Sequence, residues 1–355
     1  MSGKIVVALV FGGCSAEHEV SLASAAAIHR NLDRASYDVR SIYITRDGRW
    51  KAVDAPDPDP AKLGGAEAHP FLPWEVRGAA AGAPADIYFP VLHGPFGEDG
   101  TIQGLFEMAG VAYVGAGVLG SALGMDKVSA KVLFGERGLP VVPWRVVRET
   151  EWRADRAATL RRIARAFALP FFVKPSNLGS SVGITKVKER TATAAALEAA
   201  FRYDAKAVVE KGIAGREIEC SVLGNDAPVA SVPGEVIPHR EFYDYADKYL
   251  EGKTGFIIPA RLPRVTTARV RRLAVEAFRA LDVRGLARVD FFLETRTGRL
   301  YVNELNTMPG FTAISMYPKL WEASGLPFPR LLDRLIALGL ERHAARKACV
   351  DRDAG

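Results

Sequence analysis

Short apolar runs separated by amphipathic segments recur along the chain, and this pattern predicts a mixed α/β protein. Residues 4–11 and 37–44 have the composition of buried strands, and the segment 17–32 between them has helical periodicity. A strand at 86–92 and a helix at 100–109 continue the alternation, which is the βαβ rhythm of an open parallel sheet. The N-terminal part is therefore predicted to be a parallel-sheet domain.

The remainder is predicted to form two further units, because 355 residues are too many for one compact core. We expect domains at 1–118, 119–211 and 212–355. The charged tail 341–355 lacks an apolar face and is expected to fray. The other predicted elements are helices at 125–138, 152–167, 191–203, 265–282 and 327–340, and strands at 141–147, 171–174, 184–187, 207–210, 216–224, 227–237, 284–294 and 299–305.

Composition narrows the class of protein. The chain is 48% hydrophobic and 25% charged, as folded soluble proteins are, and no apolar run is long enough to span a bilayer. Three distant cysteines outside any C-x-x-C motif indicate reduced thiols and a cytoplasmic location. The net charge of +6 comes from arginines scattered over many segments, so we expect neither a nucleic-acid partner nor a membrane partner.

Three oxygen-bearing side chains lie on two segments that are predicted to form a hairpin. Asp290 belongs to the strand 284–294, and Glu304 and Asn306 belong to the strand 299–305 and its end. Residues two apart share a face of a strand, so Glu304 and Asn306 are expected to meet Asp290 opposite them. Two carboxylates and a carboxamide suit Mg²⁺ holding nucleotide phosphates.

Other segments have the character of nucleotide contacts. Lys174 ends a strand before a Gly/Ser loop whose amides can cradle phosphate oxygens, and Lys127 opens a helix that supplies a second cation. The Walker A spacing is absent. Glu210 and Lys211 end a strand whose main chain can pair with an adenine edge, and Glu217 can accept from ribose hydroxyls; a plain domain linker is the alternative.

Two loops follow strands at the edge of the N-terminal sheet where α/β folds bind ligands. The first, 12–21, lacks the G-x-G-x-x-G spacing, which disfavours a dehydrogenase. In it, Glu19 is predicted to hold an ammonium group, with helix capping as the alternative. The second, 93–100, is dense in glycine, histidine and acidic residues, so His93 is expected to help shape the site.

Taken together, these motifs resemble a D-alanine–D-alanine ligase of the ATP-grasp superfamily. The resemblance covers nearly the whole chain, in the family's order, through GGCSAEHEVS, HGPFGEDG, MDK, VKPSNLGSSVG, EKGIAGRE, FYDYADKY, ARVDFF and NELNTMPGFT. It implies a three-domain ATP-grasp fold, ATP and two D-alanines as substrates, two Mg²⁺ ions with Mn²⁺ as a substitute, and a homodimer.

The same resemblance implies residue roles. Glu19 binds the ammonium of the first D-alanine with His93 nearby, and Ser180 and Tyr249 join Glu19 in a hydrogen-bonded set that closes the site. Lys248 and Arg288 meet the transferring phosphate, the Gly310 amide meets the oxyanion, and Ser315 binds the second carboxylate. The nucleotide contacts are Lys127, Lys174, Glu210, Lys211, Ile213 and Glu217, and the metal ligands are Asp290, Glu304 and Asn306.

The segment 241–254 is Tyr-rich and flanked by glycines, which suits a mobile lid that keeps an acyl phosphate from water. Lys248 and Tyr249 in it favour an amine as the second nucleophile. A D-lactate ligase is therefore disfavoured, whereas a D-serine ligase stays open. The alternative from another class is a non-catalytic nucleotide-binding or nucleic-acid-binding protein.

Overall fold

The computed structural model describes residues 3–67, 85–179, 182–238, 255–312 and 314–353, and within them three β-sheets are flanked by helices. The strands are β1 (Ile5–Gly12), β2 (Tyr37–Ile44), β3 (Trp50–Val53), β4 (Ala66–Glu67), β5 (Ile87–Val91), β6 (Trp144–Arg148), β7 (Phe171–Pro175), β8 (Thr185–Val187), β9 (Lys206–Lys211), β10 (Gly215–Gly224), β11 (Val229–Ala230), β12 (Gly234–Ile237), β13 (Gly255–Ile257), β14 (Gly285–Glu294) and β15 (Leu300–Asn306).

The α-helices in the described part of the chain alternate with these strands. They are α1 (His18–Asn31), α2 (Thr101–Ala109), α3 (Val118–Met125), α4 (Lys127–Glu136), α5 (Glu149–Ala154), α6 (Arg156–Ala166), α7 (Thr193–Phe201), α8 (Arg264–Ala280), α9 (Met316–Ala323) and α10 (Phe328–Asp353). Across the described ranges, none of the helices combines the length and the apolar character that a membrane span requires.

The N-terminal sheet has the order β4-β3-β2-β1-β5, with β1 parallel to both β2 and β5. Strand β1 is apolar on both faces because both are covered. Leu9 packs in one core with residues of α1 and α10, and Val10 packs in another with Phe106 of α2. The predicted parallel centre is confirmed, whereas the antiparallel edge formed by β3 and β4 was not predicted.

The second sheet, β6-β9-β7-β8, is antiparallel and presents two different faces. Val173 and Val209 pair across β7 and β9 and point into a core with α6 and α7. Since side chains alternate along a strand, Lys174 and Glu210 lie on the opposite face. That face is free to line a cavity.

The third sheet has the order β13-β12-β10-β14-β15, with β11 paired to β10. Strands β10 and β14 pair over their full ten residues, and α8 covers their apolar face through Phe278. Phe134 of α4 belongs to the same core. Helix α4 therefore joins the region of the second sheet to the third.

Several predicted elements differ in extent. The helix predicted at 125–138 begins at Lys127, because Asp126 accepts a hydrogen bond from the Ser129 amide (2.7 Å) and caps α4 apart from α3. The helix predicted at 152–167 is divided in the same way by Asp155, which accepts from the Ala158 amide (2.8 Å). The strand predicted at 227–237 is interrupted between β11 and β12.

The prediction that the tail frays was wrong, because α10 continues to Asp353. Arg342 anchors this extension to the N-terminal unit. Its guanidinium donates to the carbonyls of Tyr113 (3.0 Å) and Gly115 and lies 4.1 Å from the centre of the Tyr113 ring. The charged extension of α10 is thus held to the N-terminal unit by cationic side chains, since Arg346 also pairs with Glu107 of α2.

Candidate active site

The hairpin of β14 and β15 brings the predicted metal ligands together. Asp290 is paired in register with Glu304, and Arg288 is paired with Asn306, so all four side chains share one face. The Asn306 amide donates to Asp290 Oδ2 (2.9 Å), and Arg288 donates from Nε and Nη2 to the two Asp290 oxygens (2.7 Å each). The predicted hairpin geometry is confirmed.

A further acid, Glu219, belongs to this cluster and was missed by the sequence analysis. It faces Asp290 from β10, is buried, and lies 3.0 Å from Arg288 Nε through Oε2. Glu219 stands two residues after Glu217 on the same strand, so strand alternation applied to β10 would have placed both acids on the cavity face.

A cavity of about 480 Å³ lies between the second and third sheets. Its lining contains five of the predicted nucleotide residues together with two predicted metal ligands, while Phe172 and Ile184 add apolar surface. The predicted nucleotide residues are Lys174, Glu210, Lys211, Ile213 and Glu217, and the predicted metal ligands are Asp290 and Glu304. A chamber with an apolar part and a charged end suits a nucleotide with its phosphates.

Lys127 lies on the other side of Glu304 from this cavity. Its ammonium donates to the Leu178 carbonyl (2.6 Å) and is 3.7 Å from Glu304 Oε2. Both residues line a small recess with Gly179 and Asn306. The two predicted phosphate lysines therefore flank the acidic hairpin from different directions.

Lys174 takes part in a buried charge cluster that the sequence did not reveal. Its ammonium is 3.2 Å from Glu210 Oε1, and the ammonium of Lys131 is 2.8 Å from Glu210 Oε2. Burial raises the pKa of Glu210, but the two lysines outweigh this effect and hold the pKa below its usual range. The Glu210 side chain is directed at the lysines, so its carboxylate is engaged with them.

The structure contradicts the placement of Glu19 in the site. Its side chain is 52% exposed and pairs with the exposed Arg46. The neighbouring acid Glu17 is buried and lies close to Gly94 and Gly179. A Cβ on Gly94 would lie 2.7 Å from Glu17 Oε2, and a Cβ on Gly179 would lie 3.1 Å from the same oxygen. Two residues along a helix start turn by about 200°, which explains why one acid faces in and the other faces out.

His93 is buried where the N-terminal sheet meets the loop after β15. Its Nδ1 is 2.9 Å from the Met308 carbonyl and its Nε2 is 3.2 Å from Ser24 Oγ. Burial lowers the pKa of His93, although Glu17 acts in the opposite direction. His93 therefore fixes the Met308 segment from beside the site, and both of its ring nitrogens are engaged.

Glu98 supports the same segment and was not singled out by the sequence analysis. Its two oxygens accept from the amides of Gly94 and Met308 (3.2 Å each). Burial, followed by the charge of Glu17, raises the pKa of Glu98 to about 8. Burial beside Glu17 thus favours the protonated form of Glu98.

Gly310 and Ser315 are adjacent beyond this segment. A Cβ on Gly310 would lie 2.7 Å from Ser315 Oγ, so a side chain at 310 would displace the hydroxyl. Ser315 Oγ accepts from the Thr312 amide (3.0 Å), and the Phe311 amide donates to Ser24 Oγ (3.1 Å). Of the other predicted site residues, Ser180, Lys248 and Tyr249 lie outside the described residues, as does the predicted lid 241–254.

Comparison with known proteins identifies the family. The family model of the D-Ala-D-Ala ligase N-terminus matches residues 6–116, and that of the C-terminus matches residues 133–337. The chain belongs to the D-alanine–D-alanine ligase family. It is 48% identical to the D-alanine–D-alanine ligase of Heliobacterium modesticaldum and 50% identical to that of Solibacter usitatus, with at least 97% of each chain covered.

Solved structures agree with this D-alanine–D-alanine ligase assignment. The D-alanine–D-alanine ligase of Coxiella burnetii has a TM-score of 0.84 at 37% identity, with 99% of each chain covered. The VanG D-Ala:D-Ser ligase of Enterococcus faecalis has a TM-score of 0.83 at 36% identity, covering 95% of this chain and all of that one. The predicted ATP-grasp fold is confirmed, and the chain is a ligase of an ATP-dependent family. The dehydrogenase and non-catalytic alternatives are set aside.

Proposed function

We propose that the protein joins two D-alanines into D-alanyl-D-alanine for peptidoglycan precursor synthesis, with release of ADP and phosphate. The observation that carries this proposal is that Lys174, Glu217, Asp290 and Glu304 line one and the same cavity. Such an arrangement holds the base and sugar of ATP in one part and aims its phosphates at the acidic hairpin. The relatives named above act on D-alanine, which supplies the substrate.

We propose that two Mg²⁺ ions, for which Mn²⁺ can substitute, are held by Asp290, Glu304 and Asn306. Among the described residues, His, Cys, Asp and Glu side chains form no metal-holding group of three or more, so the proposed set depends on two carboxylates and one carboxamide. Hard oxygen donors of this kind fit Mg²⁺. When bound, the ions offset charge on the phosphoryl group during its transfer.

The first step makes the carboxylate of one D-alanine an acyl donor. An oxygen of that carboxylate attacks the γ-phosphorus of ATP, the bond to the bridging oxygen breaks, and ADP leaves with the electron pair. Lys127, Lys174 and Arg288 counter the phosphate charge in this account. Glu17, in place of Glu19, is proposed to hold the ammonium of this D-alanine, because it is the buried acid beside Gly94 and Gly179.

The second step forms the peptide bond. The amine of the second D-alanine attacks the acyl carbon, loses a proton, and the bond to the phosphate oxygen breaks with release of phosphate. The Gly310 amide and Arg288 are proposed to stabilise the tetrahedral oxyanion, and Ser315 to bind the second carboxylate. Ser180, Lys248 and Tyr249 are proposed to close the site over the intermediate, with 241–254 as the lid.

D-Serine as the second substrate is the alternative function. Its support is the similarity to the VanG D-Ala:D-Ser ligase. D-Lactate is disfavoured by the Lys248-Tyr249 pair in the sequence.

We propose domains at 1–118, 119–211 and 212–355, and each of the three sheets falls within one of these ranges. We propose a cytoplasmic homodimer that has no nucleic-acid or membrane partner.

The test is ATP-dependent phosphate release with D-alanine, L-alanine, D-alanine plus D-serine, and D-alanine plus D-lactate, with products identified by mass. We expect release with D-alanine, matched by D-alanyl-D-alanine, and no release with L-alanine. Product formed only when D-serine is present would establish the alternative. Silence with every substrate would contradict the proposed function.

A further inference from the structure

Three buried charges form the wall of the cavity where the second sheet meets α4. The side chains of Lys131, Glu210 and Lys174 are only 2%, 2% and 8% exposed, and they come from α4, β9 and β7. The Glu210 carboxylate gives one oxygen to each lysine, at 2.8 Å for Lys131 and 3.2 Å for Lys174. Two cations share one anion, so the cluster carries a net positive charge.

Only part of this cluster reaches the cavity. Lys174 and Glu210 line it, whereas Lys131 is absent from its lining. The charge of Lys131 therefore acts on a bound nucleotide through Glu210 and Lys174. Burying a charge in this way is costly unless it is paired, and here the Glu210 carboxylate pairs with both lysines.

Lys131 also reaches the opposite wall. Its ammonium donates to the Asn303 carbonyl (3.4 Å, a long contact) on β15, one residue before Glu304. Burial is the largest effect on the pKa of Lys131 and lowers it, whereas Glu210 and, more weakly, Glu304 favour the charged form of this lysine. One side chain thus links the sheet that carries Lys174 to the hairpin that carries the proposed metal ligands.

We propose that Lys131 is a positioning residue for nucleotide phosphates, because it neutralises Glu210 and so leaves the Lys174 ammonium available to phosphate oxygens. Without Lys131, the carboxylate of Glu210 and the ammonium of Lys174 form a closed, neutral pair. The attraction that draws phosphates to Lys174 is then cancelled at short range in a medium of low dielectric. The inference rests on the proposed function, since it requires ATP in this cavity.

The test is nucleotide binding to the full chain by calorimetry, comparing adenosine, ADP and ATP. In Lys131→Met, which keeps an unbranched side chain of similar length and removes its charge, we expect ADP and ATP to bind about 10- to 100-fold more weakly, since charge-assisted contacts have this magnitude. Adenosine binding is expected to change less than about threefold, because adenosine has no phosphate for Lys174 to hold. Lys188→Met, at an exposed position in the same unit, is the control and should bind all three ligands as the wild type does.

A double variant separates positioning from general damage. Lys131→Met/Glu210→Gln leaves no carboxylate beside Lys174, so ADP should bind about tenfold more tightly to it than to Lys131→Met. This variant also carries the comparison if Lys131→Met alone does not fold, because it buries no carboxylate oxygen that has lost its Lys131 partner. A parallel measurement should find the Michaelis constant for ATP raised more than the turnover number is lowered in Lys131→Met.

Three results would overturn the inference. They are unchanged ADP affinity in Lys131→Met, an equal loss for adenosine and ADP, and a double variant that binds ADP no better than the single one. Failure of the wild type to bind ADP or ATP would overturn the proposed function together with this inference. Wild-type binding with an unaffected Lys131→Met would overturn the inference alone.

Discussion

At the scale of single residues, two glutamates only two positions apart have different surroundings. Glu17 is buried close to Gly94 and Gly179, whereas Glu19 is exposed and paired with Arg46. Gly94 lies at φ +73°, where a side chain is strained, and a Cβ there would collide with the Glu17 carboxylate. The Gly94 backbone thus lies close to the Glu17 carboxylate.

This difference predicts unequal effects of matched substitutions. Glu17→Gln removes the charge proposed to hold the substrate ammonium, so kcat/KM for D-alanine should fall about 10- to 100-fold, the magnitude of one charged hydrogen bond. Glu19→Gln should stay within about threefold of the wild type, because an exposed ion pair contributes little. Steady-state kinetics on both proteins, with circular dichroism to confirm folding, makes the comparison. Equal losses in the two variants would contradict the assignment of Glu17.

Glu98 predicts a pH effect on stability. Its pKa is raised to about 8, above the ordinary value of 4.5, so between these values the folded state holds a proton that the unfolded state has lost. The contribution of Glu98 to stability therefore falls as pH rises through this window, and it is fully present only below it. Glu98→Gln, which is neutral at every pH, should flatten that decline.

Thermal unfolding of the wild type and of Glu98→Gln from pH 4.5 to pH 8, without ligands, provides the measurement. The melting temperature of the wild type should fall more steeply with pH than that of the variant. Parallel curves would mean that Glu98 is ionised in the folded protein throughout.

Sequence alone could not separate these residues by role. Glu17 and Glu19 are the same type of residue, and they are too close in sequence for helical periodicity to show which of them faces the site. Lys131 lies in a helix, where an isolated lysine is most often a solvated residue. Its buried contact with Glu210 joins positions 79 residues apart in sequence and depends on tertiary packing. Asp290, Glu304 and Asn306 were predictable because one hairpin, a local structure, sets their geometry.

At the scale of secondary-structure elements, long alternating segments were predicted well and boundaries were not. Strands β14 and β15 lie within a residue of their predicted positions. The breaks at Asp126 and Asp155 were missed, because a capping aspartate inside a helical pattern looks like an ordinary polar position. The extension of α10 was missed because its anchor is a cation, which no hydrophobic pattern reveals.

The anchor of α10 predicts a measurable cost. Arg342→Ala removes the bonds to the carbonyls of Tyr113 and Gly115 and the contact with the Tyr113 ring, so the free energy of unfolding should fall by about 2–3 kcal/mol. Arg334→Ala, on the same helix, breaks an exposed pair with Glu341 and should cost less than about 1 kcal/mol. Urea unfolding of both variants is the measurement. Similar costs for the two would show that Arg342 is not an anchor.

At the scale of the whole molecule, the site depends on contacts between units that are distant in sequence. The second and third sheets enclose the cavity, and a loop of the N-terminal sheet brings His93 and Glu98 to the segment after β15. Helix α4 connects these parts, because Phe134 packs in the core of the third sheet while Lys131 reaches the second. This arrangement suits a reaction in which a nucleotide and two small substrates must meet without water.

The central claim is that ATP activates the carboxylate of one D-alanine as an acyl phosphate before the peptide bond forms. The most direct measurement uses D-alanine labelled with ¹⁸O in its carboxylate, followed by mass analysis of the phosphate released with D-alanyl-D-alanine. The account predicts one ¹⁸O in each phosphate, because the oxygen that attacks phosphorus leaves with it when the amine displaces the acyl phosphate. Unlabelled phosphate released in step with the dipeptide would contradict that account.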